Sequence, residues 1–255
     1  MSHENEYPEN MVQMLELIWG DGYMAPGGAG NVAKLLRDTE PSGKRILDIG
    51  CGIGGPAFEM LRTHGAQVVG IDLEQPLIER AKADARKYGL QEHCQFHTVS
   101  IGPLPFADES FDIVTSSGAL TQTSDKASLL SECIRVLAPG GYLSCYEWMR
   151  TDAEYSEDMH HWFKVEGLTY VMEELSDYAD RFSAAGFTEV ATIDATDWYQ
   201  VEARREYELL RGDLNQRLVE LLGQEDADHF VENWRAMLVV IDSGEMRQGY
   251  CRGRK

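Results

Sequence analysis

Arg45-Ile46-Leu47-Asp48-Ile49-Gly50-Cys51-Gly52-Ile53-Gly54-Gly55-Pro56 decides how the rest of the chain is read. Ile46, Leu47 and Ile49 make the short apolar run of a buried strand, and glycines follow at once. Pro56 stands where a first helical turn tolerates a missing N–H. The stretch therefore predicts a strand, a tight turn and a helix. Gly50, Gly52 and Gly54 let the backbone turn sharply and come close to a ligand that a Cβ would exclude. A nucleotide-like ligand suits such a turn.

Beyond the turn, Ala57, Met60 and Leu61 continue the helix, Gly65 stops it, and Gln67–Asp72 reads as a second strand ending in an acid. Asp72 lies about twenty residues past the glycines, the spacing at which a strand-end carboxylate accepts from ribose hydroxyls. Pro76 opens a helix with Leu77, Ile78, Ala81 and Ala85 inward, and Cys94–Val99 is a third strand. Phe111–Ser117 is a fourth strand, Leu129–Leu137 lies in a helix, Pro139-Gly140-Gly141 is a turn and Tyr142–Trp148 a fifth strand. Strand and helix alternate throughout, which implies an α/β fold with a parallel sheet covered on both faces. Ligands of such sheets sit outside the carboxyl ends of the strands, where strand order reverses. That puts Asp48–Gly54, Asp72, Ser100, Ile101, Ser116 and Ser117 around one crevice.

On the N-terminal side, Met11, Met14, Leu15 and Ile18 recur at helical spacing. The breaker-rich stretch Tyr23-Met24-Ala25-Pro26-Gly27-Gly28 is either a connection or a lid. On the C-terminal side Thr188–Ala195 reads as a sixth strand, Val201–Leu222 and Glu225–Val240 as helices, and Met246–Arg254 as a closing antiparallel strand.

The chain has 255 residues, 43% of them hydrophobic, enough for a sizeable core. No apolar run approaches the roughly 20 residues of a membrane span, and Met1–Asn10 lacks the pattern of a secretory leader. Disorder is expected at most in the first and last few residues. The five cysteines are scattered, odd in number and mostly in apolar runs, as in a reduced cytoplasmic protein. His93 and His97 lie in one strand-like segment without a third ligand nearby, so no metal is expected. A net charge of −20 repels a phosphate backbone and excludes nucleic acid as the natural partner. It favours cationic or zwitterionic small molecules.

Together, the Ile46–Gly55 run, the strand-end Asp72, Leu104-Pro105-Phe106-Ala107-Asp108-Glu109-Ser110-Phe111-Asp112 and Leu137-Ala138-Pro139-Gly140-Gly141 resemble a class I S-adenosylmethionine-dependent methyltransferase. An NAD-dependent dehydrogenase, the rival for the glycine turn, needs a different glycine spacing and a second mononucleotide half. The flanks resemble the phosphoethanolamine and glycine/sarcosine N-methyltransferase branch, through Trp19-Gly20-Asp21-Gly22-Tyr23, Asp177-Tyr178-Ala179-Asp180, Asp197-Trp198-Tyr199 and Gly249-Tyr250-Cys251-Arg252.

The resemblance implies a Rossmann-like, doubly wound, seven-stranded, mostly parallel sheet with helical cap elements. It also implies one methyltransferase domain over 1–255: N-terminal helix and lid at 1–30, cofactor-binding core at 31–148, and cap helices and closing strands at 149–255. The cofactor is S-adenosyl-L-methionine, with S-adenosyl-L-homocysteine as product. Asp48, Gly50, Cys51 and Gly52 would take its methionine end, Asp72 the ribose and Leu73 the adenine. Ser100 and Ile101 stand at the adenine edge, Tyr23, Met24 and Ala25 at the lid, and Ser116 and Ser117 at the fourth-strand end.

Tyr7 falls on the tyrosine of a Tyr–His dyad over the methyl group, but Gln122 occupies the histidine position and cannot titrate. Gly118 replaces a frequent aspartate, and Val239-Val240-Ile241 is apolar where a phosphate-binding lysine is expected. An acceptor other than phosphoethanolamine is therefore expected. Tyr7, Tyr170, His160 and Trp198 are the candidate acceptor contacts, with packing of the cap as the alternative for each aromatic and a solvated helix face for His160. N-methylation by in-line transfer without a histidine base is the leading reading. O- or S-methylation, or cofactor binding without transfer, stays open. The expected partner is a small molecule, with no nucleic acid and no membrane, and a homodimer is left open.

Overall fold

The computed structural model describes residues 7–168 and 170–255. Residues 1–6, where disorder was expected, lie outside the described residues. In chain order the elements are α1 (Glu9–Trp19), α2 (Gly28–Leu35), β1 (Arg45–Ile49), α3 (Gly55–His64), β2 (Gln67–Asp72) and α4 (Gln75–Lys87). Then follow β3 (Cys94–Thr98), β4 (Phe111–Ser117), α5 (Ala119–Gln122), α6 (Lys126–Val136), β5 (Leu137–Arg150) and α7 (Glu157–Glu166). The last are α8 (Leu175–Ala184), β6 (Thr188–Asp194), α9 (Thr196–Arg211), α10 (Asn215–Leu222), α11 (Gln224–Asp242) and β7 (Met246–Arg254).

The seven strands form one sheet in the order β3-β2-β1-β4-β5-β7-β6. All pairings are parallel except those of β7, which runs antiparallel to both β5 and β6. Alternation along each strand divides the core. Ile46, Val68 and Ile113 meet α2, α3 and α4 on one face, while Leu47, Val114 and Leu143 meet α6 and α8 on the other. A third apolar cluster joins α1 to α7, α9, α10 and α11 as a cap. Strand order reverses between β1 and β4, so the crevice expected at a switch point opens over their carboxyl ends.

Two boundaries differ from expectation. The predicted Val201–Leu222 helix is two helices, because the chain breaks at Gly212, whose φ of −119° and ψ of −106° lie outside the helical region. The fifth strand also runs longer, from Leu137 to Arg150. Pro139-Gly140-Gly141 is accommodated as an irregularity between the Phe111–Leu137 and Ile113–Tyr142 pairs. The family-like loop after Leu104 is clasped by α6. Arg135 donates to the carbonyls of Leu104 and Phe106, and Glu132 accepts from the Leu104 N–H at 2.7 Å.

The N-terminal segment is drawn over the crevice. Glu16 accepts the Gly22 N–H through one carboxylate oxygen and pairs with Arg80 of α4 through the other, at 2.8 and 2.7 Å. The Gly22 carbonyl then accepts from the N–H of Gly55 at 3.0 Å. A Cβ on Gly55 would stand 2.1 Å from that carbonyl oxygen, so only glycine lets the two backbones meet. Gly55→Ala is expected to cost about 1–3 kcal/mol and to lower the melting temperature by about 2–8 °C, with faster proteolysis ahead of Gly22. Scanning calorimetry and limited chymotrypsin digestion measure both.

Candidate active site

The glycine turn and Asp72 form one unit. Asp72 Oδ2 accepts from the Gly52 N–H at 2.9 Å and Oδ1 from the Glu74 N–H at 3.0 Å. Each carboxylate oxygen keeps a second acceptor site for a ligand hydroxyl. Gly52 has φ +53°, and a Cβ there would fall 2.9 Å from Met24 Sδ, so the lid lies directly on the turn. Asp48, buried on β1, accepts from Thr115 Oγ1 at 2.8 Å, and its Oδ2 has no partner among the described residues. Burial lifts its carboxyl to about 7, against the opposing Thr115 hydrogen bond and with added repulsion from Asp72.

Not every expected cofactor residue turns its side chain to the crevice. Cys51 is buried with its thiol beside Gly70, leaving only its backbone for a ligand. Tyr23 packs on the α2–α3 cluster, in the field of Glu59 and Arg62. Leu73, Ser100 and Ile101 stand on an exposed lip, Ile101 being 77% accessible. Ala25 is half-buried within the lid. Ser116 is buried and donates to Glu147, whereas Ser117 accepts from Asn31, which in turn accepts from the Tyr250 hydroxyl.

Gln122, at the end of α5, donates from Nε2 to the Tyr7 hydroxyl at 2.9 Å. Tyr7 packs among Val12, Met24, Ile53 and Leu77, between the lid and the glycine turn. Two residues that sequence reasoning passed over place this pair. Thr121 donates its N–H and hydroxyl to the fully buried Glu147 at 2.9 and 2.8 Å, pinning α5 to β5. Desolvation raises Glu147 to about 7 although hydrogen bonds from Thr121, Ser116 and Leu120 oppose the shift. The only signal for it was an acid inside the otherwise apolar run Cys145–Met149.

Beyond Tyr7 lies the cap. Tyr170 stacks on Trp162 with ring centres 5.3 Å apart, and its hydroxyl donates to Glu166 at 2.7 Å. Burial pushes its own ionisation far up, with Glu166 and then Tyr7 adding to the effect, and both tyrosines pack against the same cap cluster. Glu206 is buried and accepts from Trp19, Trp234 and Tyr199, which fixes three rings around a cavity of about 40 Å³. Desolvation raises Glu206 to about 7. His160 and Trp198 stand apart. His160 is exposed on α7 against Tyr155, and Trp198 covers Gly27 with Lys34 Nζ 3.5 Å from its ring centre. His160 thus lies on a solvated helix face, while Trp198 packs against Leu35, Tyr146, Ala195 and Tyr250. His93 meets Gln67 rather than His97, and no metal-holding group of His, Cys, Asp or Glu occurs among the described residues.

Residues 47–145 match the methyltransferase domain family. That segment is a methyltransferase domain, and the seven-stranded fold is the one seen in class I S-adenosylmethionine-dependent methyltransferases. Within that class it is similar to phosphoethanolamine N-methyltransferase 1 of Zea mays, 30% identical over 96% of this chain and 48% of the relative. The chain thus spans about half the length of such curated relatives. The solved Haemonchus contortus phosphoethanolamine N-methyltransferase 2, in complex with phosphomonomethylethanolamine and S-adenosylhomocysteine, shares the fold at TM-score 0.91 and 24% identity, over 99% of this chain and 59% of that one. A Galdieria sulphuraria protein described as a sarcosine dimethylglycine methyltransferase matches at TM-score 0.80 and 18% identity, over 97% of each chain. The residues present fit the cofactor of this class: an unpartnered buried carboxylate oxygen on Asp48, acceptor sites on Asp72 and a turn open to close approach.

Asp48, Glu147 and Glu206 each titrate near 7 in the fold, against 3.8 or 4.5 ordinarily. Between about pH 4.5 and 7 the folded chain therefore holds protons that the unfolded chain has released, and stability falls as pH rises through that window. Glu232, lowered to about 2 by Arg235, acts in the opposite sense but only below about pH 4.5. The melting temperature is expected to drop from pH 5 to pH 7.5, with a shallower slope in Glu206→Gln. Thermal melts across that range test it.

Proposed function

We propose that the chain transfers a methyl group to the nitrogen of a small molecule, with Tyr7 and Gln122 positioning the acceptor. The hydrogen bond between these two side chains carries the reading, because it joins the N-terminal segment to the end of α5 beside the glycine turn. S-adenosylmethionine supplies an electrophilic sulfonium methyl when bound. Asp48 and Asp72 offer the carboxylate oxygens for its charged and hydroxyl-bearing parts, and Met24 covers the turn.

Tyr7 and Gln122 would hold an acceptor nitrogen with its lone pair toward that methyl, and the bond pair would leave with the sulfur. An amine also loses a proton before or during attack. Gln122 holds Tyr7 in place but takes no proton, so that proton leaves to water, directly or past the Tyr7 hydroxyl. Positioning in a closed pocket supplies the acceleration, on the order of 7–11 kcal/mol in favourable cases. Closure by the N-terminal segment provides that enclosure. Residues 1–255 act as one unit in this reading, and five unpaired, buried thiols suit a cytoplasmic setting. No helix among the described residues is long and apolar enough to cross a membrane.

Cofactor binding without transfer is the second reading, favoured by the untitratable Gln122. Calorimetry with S-adenosylhomocysteine should show Asp72→Ala losing about tenfold or more in affinity. Tyr7→Phe should keep that affinity and lower turnover by about tenfold or more in a panel of amines, thiols and carboxylates assayed for S-adenosylhomocysteine release. Wild-type turnover in Tyr7→Phe overturns the positioning role, and an inert panel favours the second reading.

A further inference from the structure

The cavity under α1 and α11 is walled by rings and one acid. Trp148, Trp162, Tyr199 and Trp234 line it together with Glu166 and Asn233. Among the described residues that line it there is no lysine, arginine or histidine. At about 40 Å³ it accommodates one group of water, methyl or ammonium size, so it receives the end of a ligand and not a bulky body.

The hydrogen-bonding state of the walls is specific. Glu166 is already bonded, through Oε1 to the Tyr170 hydroxyl and through Oε2 to Asn233 Nδ2, and each oxygen retains a further acceptor site. Asn233 is 4% exposed, and its Oδ1 has no partner among the described residues. Trp162 is 1% exposed, and its Nε1–H is likewise unpartnered. Buried polar groups are normally hydrogen-bonded to protein, water or a bound group, so these two leave bonding capacity in the cavity wall. The wall therefore offers acceptors on Glu166 and Asn233, the rings of Trp148 and Tyr199, and an unpartnered neutral N–H on Trp162. Acceptors beside aromatic rings fit an ammonium group, and a neutral N–H fits a neutral oxygen such as a hydroxyl. A phosphate or carboxylate would face Glu166 with no cation to offset it.

We propose that this cavity selects the acceptor, and that the acceptor class is a small amine or amino alcohol, cationic before reaction and free of phosphate and carboxylate. The proposal rests on the methyl-transfer reading for its link to chemistry, while the ligand class follows from the walls. Tyr170 supplies the link, since it stacks on Trp162, donates to Glu166 and packs with Tyr7 against the same cap cluster.

The test uses the full chain, titrated calorimetrically with ethanolamine and with phosphoethanolamine in the presence of S-adenosylhomocysteine. Ethanolamine is expected to bind at least about tenfold more tightly than phosphoethanolamine, and Glu166→Gln to weaken ethanolamine about tenfold with S-adenosylhomocysteine affinity retained. Equal or tighter binding of phosphoethanolamine, binding of neither probe, or unchanged ethanolamine affinity in Glu166→Gln overturns the proposal. The wild-type contrast between the two probes needs no variant, so a misfolded Glu166→Gln leaves the proposal testable. Failure of the donor reading shows separately, as loss of S-adenosylhomocysteine binding by the wild-type chain.

Discussion

Glu16 holds the functional half of this molecule together. One of its carboxylate oxygens fixes the turn at Gly22 and the other fixes Arg80, so α1 and the lid are tied to α4 across the carboxyl edge of the sheet. Arg80 also reaches Glu9 and Asp84, making a small network rather than an isolated surface pair. With the segment so held, Met24 lies on Gly52 and Tyr7 meets Gln122. An open sheet has a crevice at its switch point in any case. Only the strapped segment turns that crevice into an enclosed space, and the same α1 supplies one wall of the cap cavity.

Buried acids organise what the strap encloses. Glu147 immobilises α5 through Thr121, and Glu206 orients Trp19, Trp234 and Tyr199. Both are held by neutral donors rather than by cations, which compensates the carboxylate without restoring the solvation lost on burial. That is why each titrates near 7. Asp48 differs in keeping one oxygen unpartnered at the base of the crevice, a group whose desolvation is left for a ligand to relieve.

Much of the fold was legible because its signals are local. Apolar runs such as Ile46–Ile49 and Phe111–Ser117, each followed by glycine, mark parallel strands ending in turns, and Asp72 marks the second strand end. The pairing of Tyr7 with Gln122 came from the family resemblance and is present as a hydrogen bond. Other features were hidden for physical reasons. The break at Gly212 falls within an amphipathic pattern that continues on both sides, so periodicity alone did not show it. Helix phase, which depends on how α7 and α9 dock, left His160 exposed and packed Trp198 against Leu35 and Tyr146.

By itself the sequence determined the α/β alternation, the glycine turn with its strand-end acid and the class of cofactor, because these depend on residues close together in the chain. Tertiary structure alone decided which polar groups are buried and with whom. Glu166 and Asn233 are 67 positions apart, and Trp19 and Glu206 are 187 apart. Nothing near any of them in sequence says that it ends inside a ring-lined cavity. Desolvation and hydrogen bonding act through space, so the selectivity of the acceptor site emerges only when α1, α7, α9 and α11 pack together.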